Sequence, residues 1–199
     1  MRAGVAMLAL STIARSFSPA VKRSGGAPLL LRGLSTARDV LFDQTGAIDA
    51  RLETLGYELP PVPSPKGSYV LTSRLGNVLH LCGHIPVTPD GELLTGKVGK
   101  DLSDDEGQAA AKVVGLNIIA TLKNEVGLDN VVKIHKLVGF VNCVDGFANQ
   151  PYVVNGCSDL MFEVFGDRGI HARSAVGTNA LPLNIPVEIE AIVEVQPGA

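Results

Sequence analysis

Nine residues near the C-terminus, Val187-Glu188-Ile189-Glu190-Ala191-Ile192-Val193-Glu194-Val195, alternate almost throughout. In an extended chain Val187, Ile189, Ala191, Val193 and Val195 fall on one side, and Glu188, Glu190 and Glu194 on the other. A period of two is useless to a helix, so the run commits the chain to a sheet with one covered face. The cover is found upstream. Ser103-Asp104-Asp105-Glu106 is a capping box, with acids placed against the helix dipole. After it Ala110, Val113, Val114, Asn117, Ile118 and Leu122 recur at helical spacing to about Val126, and Gly127 marks the stop. A second helix is expected over Phe147–Phe165, with Pro151 in its first turns and Gly166 just past its end.

Further strands are expected at Val131–Val141 and Ser174–Asn179. Tyr69–Ser73 and Val78–Cys82 flank Leu75-Gly76-Asn77 as a hairpin, and a short strand near Leu93–Thr95 follows the Asp90-Gly91 turn. Ahead of these, Ile48–Tyr57 reads as a short helix. Leu59–Pro65 holds four prolines in seven residues and reads as a stiff extended linker. The order ββ(β)αβαββ implies an α+β fold whose helices bury one sheet face. The other face mixes apolar residues with glutamates, which is neither a core nor a solvated surface. Copies closing around a shared interior by cyclic symmetry would account for it.

Composition divides the chain. At 46% hydrophobic and 19% charged residues, a proper core forms and bulk disorder is ruled out. No apolar run reaches the roughly 18–20 residues of a membrane helix, so no membrane partner is expected. Residues 1–38 carry six basic residues and no acidic one, whereas residues 39–199 carry 11 basic and 20 acidic residues, a net −9. A basic, Ser-rich, acid-free front matches an organelle presequence, mitochondrial or plastid, and Arg32-Gly33-Leu34-Ser35 resembles a matrix-processing site. A secretory signal (Arg2 before Ala3–Leu10) and an uncleaved tail are the alternatives. The expected organisation is therefore a disordered presequence over 1–38, a helix and linker over 39–65, and one α+β domain over 66–199. Cys82, Cys143 and Cys157 are odd in number and lack C-x-x-C spacing, which argues for free thiols rather than a disulfide framework or a zinc site.

Arg173, in His171-Ala172-Arg173-Ser174, is the residue with the most chemistry to offer. A guanidinium presents a planar fork that matches a carboxylate and stays charged at physiological pH. The plainer reading is an ion pair with Glu188 or Glu190. His135 and His171 share no metal-ligand spacing with any Cys or acid. Gly96-Lys97-Val98-Gly99-Lys100 lacks the spacing of a phosphate loop and reads as a surface turn.

Over about residues 66–196 the chain resembles the Rid (YjgF-type) family of reactive intermediate deaminases, in a longer, less characterised form. The resemblance rests on Gly67-Ser68-Tyr69-Val70, on Cys82-Gly83-His84-Ile85-Pro86-Val87, and on Ala172-Arg173-Ser174 with Pro186-Val187-Glu188-Ile189-Glu190-Ala191. It implies the chorismate-mutase-like α+β fold and a homotrimer with a small-molecule cleft at each subunit interface. By the same resemblance Arg173 binds the substrate carboxylate and Glu188, on the strand facing it, lies near the reacting water or nitrogen. Tyr69, supplied by the neighbouring subunit, stands at the cleft mouth, and Asn155 matches a cleft Asn. His84 stands where the deaminases usually have Gln, which either changes the polar contacts beside the substrate or adds a group that titrates near neutrality. Ala175 replaces a cysteine common two residues past the Arg. The implied activity is hydrolysis of an enamine or imine of the 2-aminoacrylate type to a 2-oxo acid and ammonia, with no metal or cofactor. Two alternatives stand beside it: an endoribonuclease or translation inhibitor, and a non-catalytic trimer that binds small carboxylates. The net −9 of residues 39–199, without Lys/Arg clusters, suits phosphate-driven RNA binding poorly, so no nucleic-acid partner is expected.

Overall fold

The computed structural model describes residues 46–62, 64–65 and 67–199. The presequence expected over 1–38 lies outside the described residues. Eight main elements follow in order: α1 (Ala47–Leu55), β1 (Thr72–Leu75), β2 (Val78–His84), α2 (Asp104–Val126), β3 (Val131–Asn142), α3 (Gln150–Phe165), β4 (Ala172–Thr178) and β5 (Val187–Val195). The five strands form one sheet in the order β1-β2-β5-β3-β4. All neighbours are antiparallel except β3 and β4, which run parallel with α3 as the crossover. The C-terminal alternating run thus lies at the sheet centre. Val187, Ile189, Ala191, Val193 and Val195 are all buried beneath the helices.

The capping box forms as expected: Ser103 Oγ accepts from the Glu106 amide, and the Ser103 amide donates to the Glu106 carboxylate at 2.7 Å. Helices α2 and α3 approach closely because glycines line the crossing. A Cβ on Gly156 would stand 2.0 Å from the Gln108 carbonyl oxygen, so no larger residue fits without separating the helices. Helix α1 is fixed from outside itself. Both Asp129 carboxylate oxygens accept from its first amides, Gly46 and Ile48, and Tyr57 donates to Glu163 of α3.

Three boundaries differ from expectation. The expected strand near Leu93–Thr95 is reduced to a single bridge between Val87 and Leu93, because Pro86 has no N–H with which to extend a ladder. Helix α3 starts at Gln150 rather than Phe147, since Gly146 (φ 75°) holds a turn in which the Phe147 amide bonds the Val144 carbonyl. The first hairpin strand lies at Thr72–Leu75 instead of Tyr69–Ser73, closed tightly on Gly76-Asn77, and Tyr69 stands ahead of the ladder.

Candidate active site

The residues expected at a site fall into two groups around two separate cavities. The first group lines a cavity of about 670 Å³ near the end of β2, where Tyr69, His84 and Glu188 meet Cys82, Leu183 and Glu190. Pro61, Val62 and Ser64 of the proline-rich linker supply a further wall. The Glu188 side chain lies across Gly83, whose missing side chain leaves room for the carboxylate. A Cβ on Gly83 would stand 1.9 Å from Glu188 Oε1. Partial burial pushes the Glu188 carboxyl above its ordinary range, and the charge of Glu190 adds to the effect. Burial also raises the Cys82 thiol, reinforced by Glu188, so this sulfur stays protonated and is a poor nucleophile.

His84 owes its position to a β-bulge. Leu81 pairs with Ala191 but His84 pairs with Ile189, so three steps on β2 oppose two on β5. Simple alternation would leave His84 on the face of His80 and Cys82; the bulge turns it under α2 instead. There its Nδ1 lies 2.8 Å from the Cys82 carbonyl and its Nε2 2.8 Å from Thr121 Oγ1. A carbonyl only accepts, so Nδ1 carries the proton and Nε2 accepts from the Thr121 hydroxyl. Burial lowers its pKa further, and the ring is neutral at pH 7. His84 is therefore a satisfied core residue at the edge of the cavity, not a group that titrates near neutrality.

The second group gathers around Arg173. In register Arg173 is level with Leu137 of β3, itself level with Ala191 of β5, and both of these neighbours face the helices. The guanidinium accordingly bonds α3. Its Nη1 donates to Asn155 Oδ1 at 2.8 Å and to Ser158 Oγ at 3.0 Å, and its Nη2 donates to the Pro151 carbonyl at 3.2 Å. Among the described residues these three bonds leave two of the five N–H groups of an arginine for a ligand. A shallow cavity of about 260 Å³ adjoins it, lined also by Ser158, Phe162, Ile170 and His171. Glu188 is level with Phe140 and leaves the opposite sheet face. The ion pair considered between Arg173 and Glu188 or Glu190 is therefore not formed within the protomer.

Arg173 and Asn155 thus stand together on the helix side of the sheet, Tyr69 and Glu188 meet in the other cavity, and His84 borders that cavity from beneath α2. Gly83, Ser158 and the contact between His171 and Ser158 escaped the sequence reading. His171 was legible only as lying two residues before Arg173, since nothing in the sequence placed Ser158 of α3 beside it.

Comparison with known proteins agrees with this architecture. Residues 49–194 match the family model described as "YjgF/chorismate_mutase-like, putative endoribonuclease". Protein TCP17 of Trypanosoma cruzi is 41% identical over 152 residues, covering 75% of this chain and 95% of that protein. A 2-iminobutanoate/2-iminopropanoate deaminase of Dermatophagoides farinae is 30% identical over 139 residues, 69% of this chain and 93% of that one. The mitochondrial protein MMF1 of Saccharomyces cerevisiae is 29% identical over 130 residues, 65% of this chain and 77% of that one. Among solved structures, protein Atu1372 of Agrobacterium tumefaciens, of unknown function, superposes with a TM-score of 0.69 at 38% identity, covering 79% of this chain and 97% of that one. The sheet order, the two covering helices and the matched span agree: the chain belongs to the YjgF/Rid family and has its chorismate-mutase-like α+β fold.

Proposed function

We propose that this protein hydrolyses reactive imines and enamines of small 2-amino acids, of the 2-aminoacrylate type, to 2-oxo acids and ammonia. The observation that carries the reading is the anchored guanidinium of Arg173, which keeps two N–H groups for a carboxylate. The deaminase among the relatives supports the same chemistry.

The reaction asks little of the protein. An enamine first takes a proton at its terminal carbon and becomes the imine. The imine carbon is already electrophilic, so neither a metal nor a covalent nucleophile is needed. Arg173 fixes the carboxylate, and Asn155, already bonded to it, helps hold the guanidinium in place. Water adds to the imine carbon, the C–N bond breaks, and ammonia leaves as the carbonyl forms. Holding the imine and water in one place supplies much of the acceleration. Glu188, with its raised pKa, accepts a proton from the attacking water and returns it to the departing nitrogen. Tyr69 lines the cavity beside Glu188.

Arg173 and Glu188 leave opposite faces of one sheet, so a site that uses both draws them from two copies. This supports a homotrimer with a site at each interface. A mitochondrial location is our reading of the acid-free, basic front segment, and the mitochondrial relative is consistent with it. The endoribonuclease wording of the family description has less support, because net −9 over residues 39–199 repels a phosphate backbone.

The test is ammonia release from 2-aminoacrylate generated in place by a pyridoxal enzyme. The pure protein is expected to accelerate it, and Arg173→Ala to remove the acceleration. Normal binding of 2-oxo acids without any acceleration would instead mark a non-catalytic carboxylate-binding protein.

A further inference from the structure

We propose that Ser158 and His171 are positioning residues for Arg173, orienting its guanidinium so that the free N–H pair faces the substrate carboxylate. The inference rests on the reading of Arg173 as the carboxylate anchor. It adds two residues to which neither the family motif nor the comparisons assign a role.

His171 Nδ1 lies 2.6 Å from the Gly169 carbonyl oxygen. That oxygen can only accept, so Nδ1 carries the ring proton and Nε2 presents a lone pair. Ser158 Oγ stands 3.1 Å from Nε2 and must point its hydrogen at the ring. Its lone pairs are then turned toward Arg173, whose Nη1 donates to it at 3.0 Å. The result is a directed chain from Arg173 through Ser158 and His171 to the backbone at Gly169. Burial lowers the His171 pKa, and the charges of Arg173 and Lys133 lower it further, so the neutral ring that this chain needs is the form present at pH 7.

The backbone end of the chain is rigid for a steric reason. A Cβ on Gly169 would stand 2.0 Å from the Met161 carbonyl oxygen, so glycine alone lets this turn pack against α3. The carbonyl that fixes His171 is thereby held to the same helix that carries Ser158 and Asn155. Without the Ser158 acceptor, Nη1 keeps only Asn155 and Nη2 only the longer bond to the Pro151 carbonyl, and the guanidinium is held more loosely about its last torsions.

The experiment measures binding of 2-oxobutanoate by calorimetry, and steady-state deamination, for the full chain and four variants. Arg173→Ala is expected to lose binding. Ser158→Ala is expected to raise Kd and KM about tenfold with kcat changed less than about threefold, the size of one hydrogen bond to a charged group. Ser158→Thr keeps the hydroxyl and is expected to restore Kd to within about twofold, and His171→Phe to behave like Ser158→Ala. In 15N spectra the Arg173 Nη hydrogens are expected to be resolved in the parent and averaged in Ser158→Ala, a change that a general loss of stability would not produce. Wild-type Kd in Ser158→Ala and His171→Phe, with Arg173→Ala inactive, overturns the positioning role alone. Wild-type binding in Arg173→Ala overturns the anchor itself. If Ser158→Ala fails to fold, His171→Phe and the parent spectrum still decide the matter.

Discussion

Glu188 ties the chemistry of the cavity to the stability of the fold. Its carboxyl titrates above the ordinary range because charge is costly where it sits. The native state therefore holds this proton more tightly than the unfolded chain does. Relative to a group with no shift, the resulting stability is fully present below the unfolded pKa and is lost as pH rises through the folded pKa. Glu188→Gln removes the penalty of ionisation, so the variant should melt above the parent at pH 7. The gap should close below about pH 4, under the ordinary glutamate pKa. Thermal melts across that range check the sign; a variant less stable at pH 7 would mean that Glu188 makes favourable contacts when charged. The role proposed for Glu188 comes from the family motif, whereas its side of the sheet was legible through alternation. The place of His84 was not, because a bulge at Cys82-Gly83 reverses the parity that alternation predicts.

Elements whose signals are local could be read in advance. The Ser103 capping box, the stop at Gly127 and the strand Val187–Val195 depend on neighbours within a few residues, and all three formed where expected. Ser103→Ala should cost about 1 kcal/mol in denaturant unfolding, the usual worth of an N-cap. The α2–α3 crossing was illegible, because it depends on Gly156 meeting the backbone of Gln108, a residue far away in sequence. Gly156→Ala forces a methyl onto the Gln108 carbonyl and should cost roughly 1–3 kcal/mol, more than helix propensity returns. A neutral or stabilising result would show that the helices can separate without loss. The lost strand near Leu93 and the late start of α3 share one cause: turns built on Pro86 and Gly146 consumed residues that composition alone assigns to regular structure.

At the scale of the whole molecule, Arg173 and Glu188 face away from each other across one sheet, and in the proposed homotrimer a neighbouring copy brings them together. Sedimentation should give three chain masses, with Arg173→Ala still trimeric, since its bonds lie within the protomer. Dissociation of that variant would mark Arg173 as an interface strut. Sites shared between copies also permit complementation. Trimers of Arg173→Ala alone and of Glu188→Gln alone should both be inactive. Co-refolded in equal amounts, they should recover about a quarter of the parent activity, because a site is intact whenever each neighbour supplies the residue the other lacks. The most direct measurement of the central claim remains ammonia release from freshly formed 2-aminoacrylate by the parent and by Arg173→Ala. Acceleration by the parent and its loss by at least about thirtyfold in the variant, the worth of a charge-assisted carboxylate contact, is the predicted result. Equal rates with and without the guanidinium would contradict it.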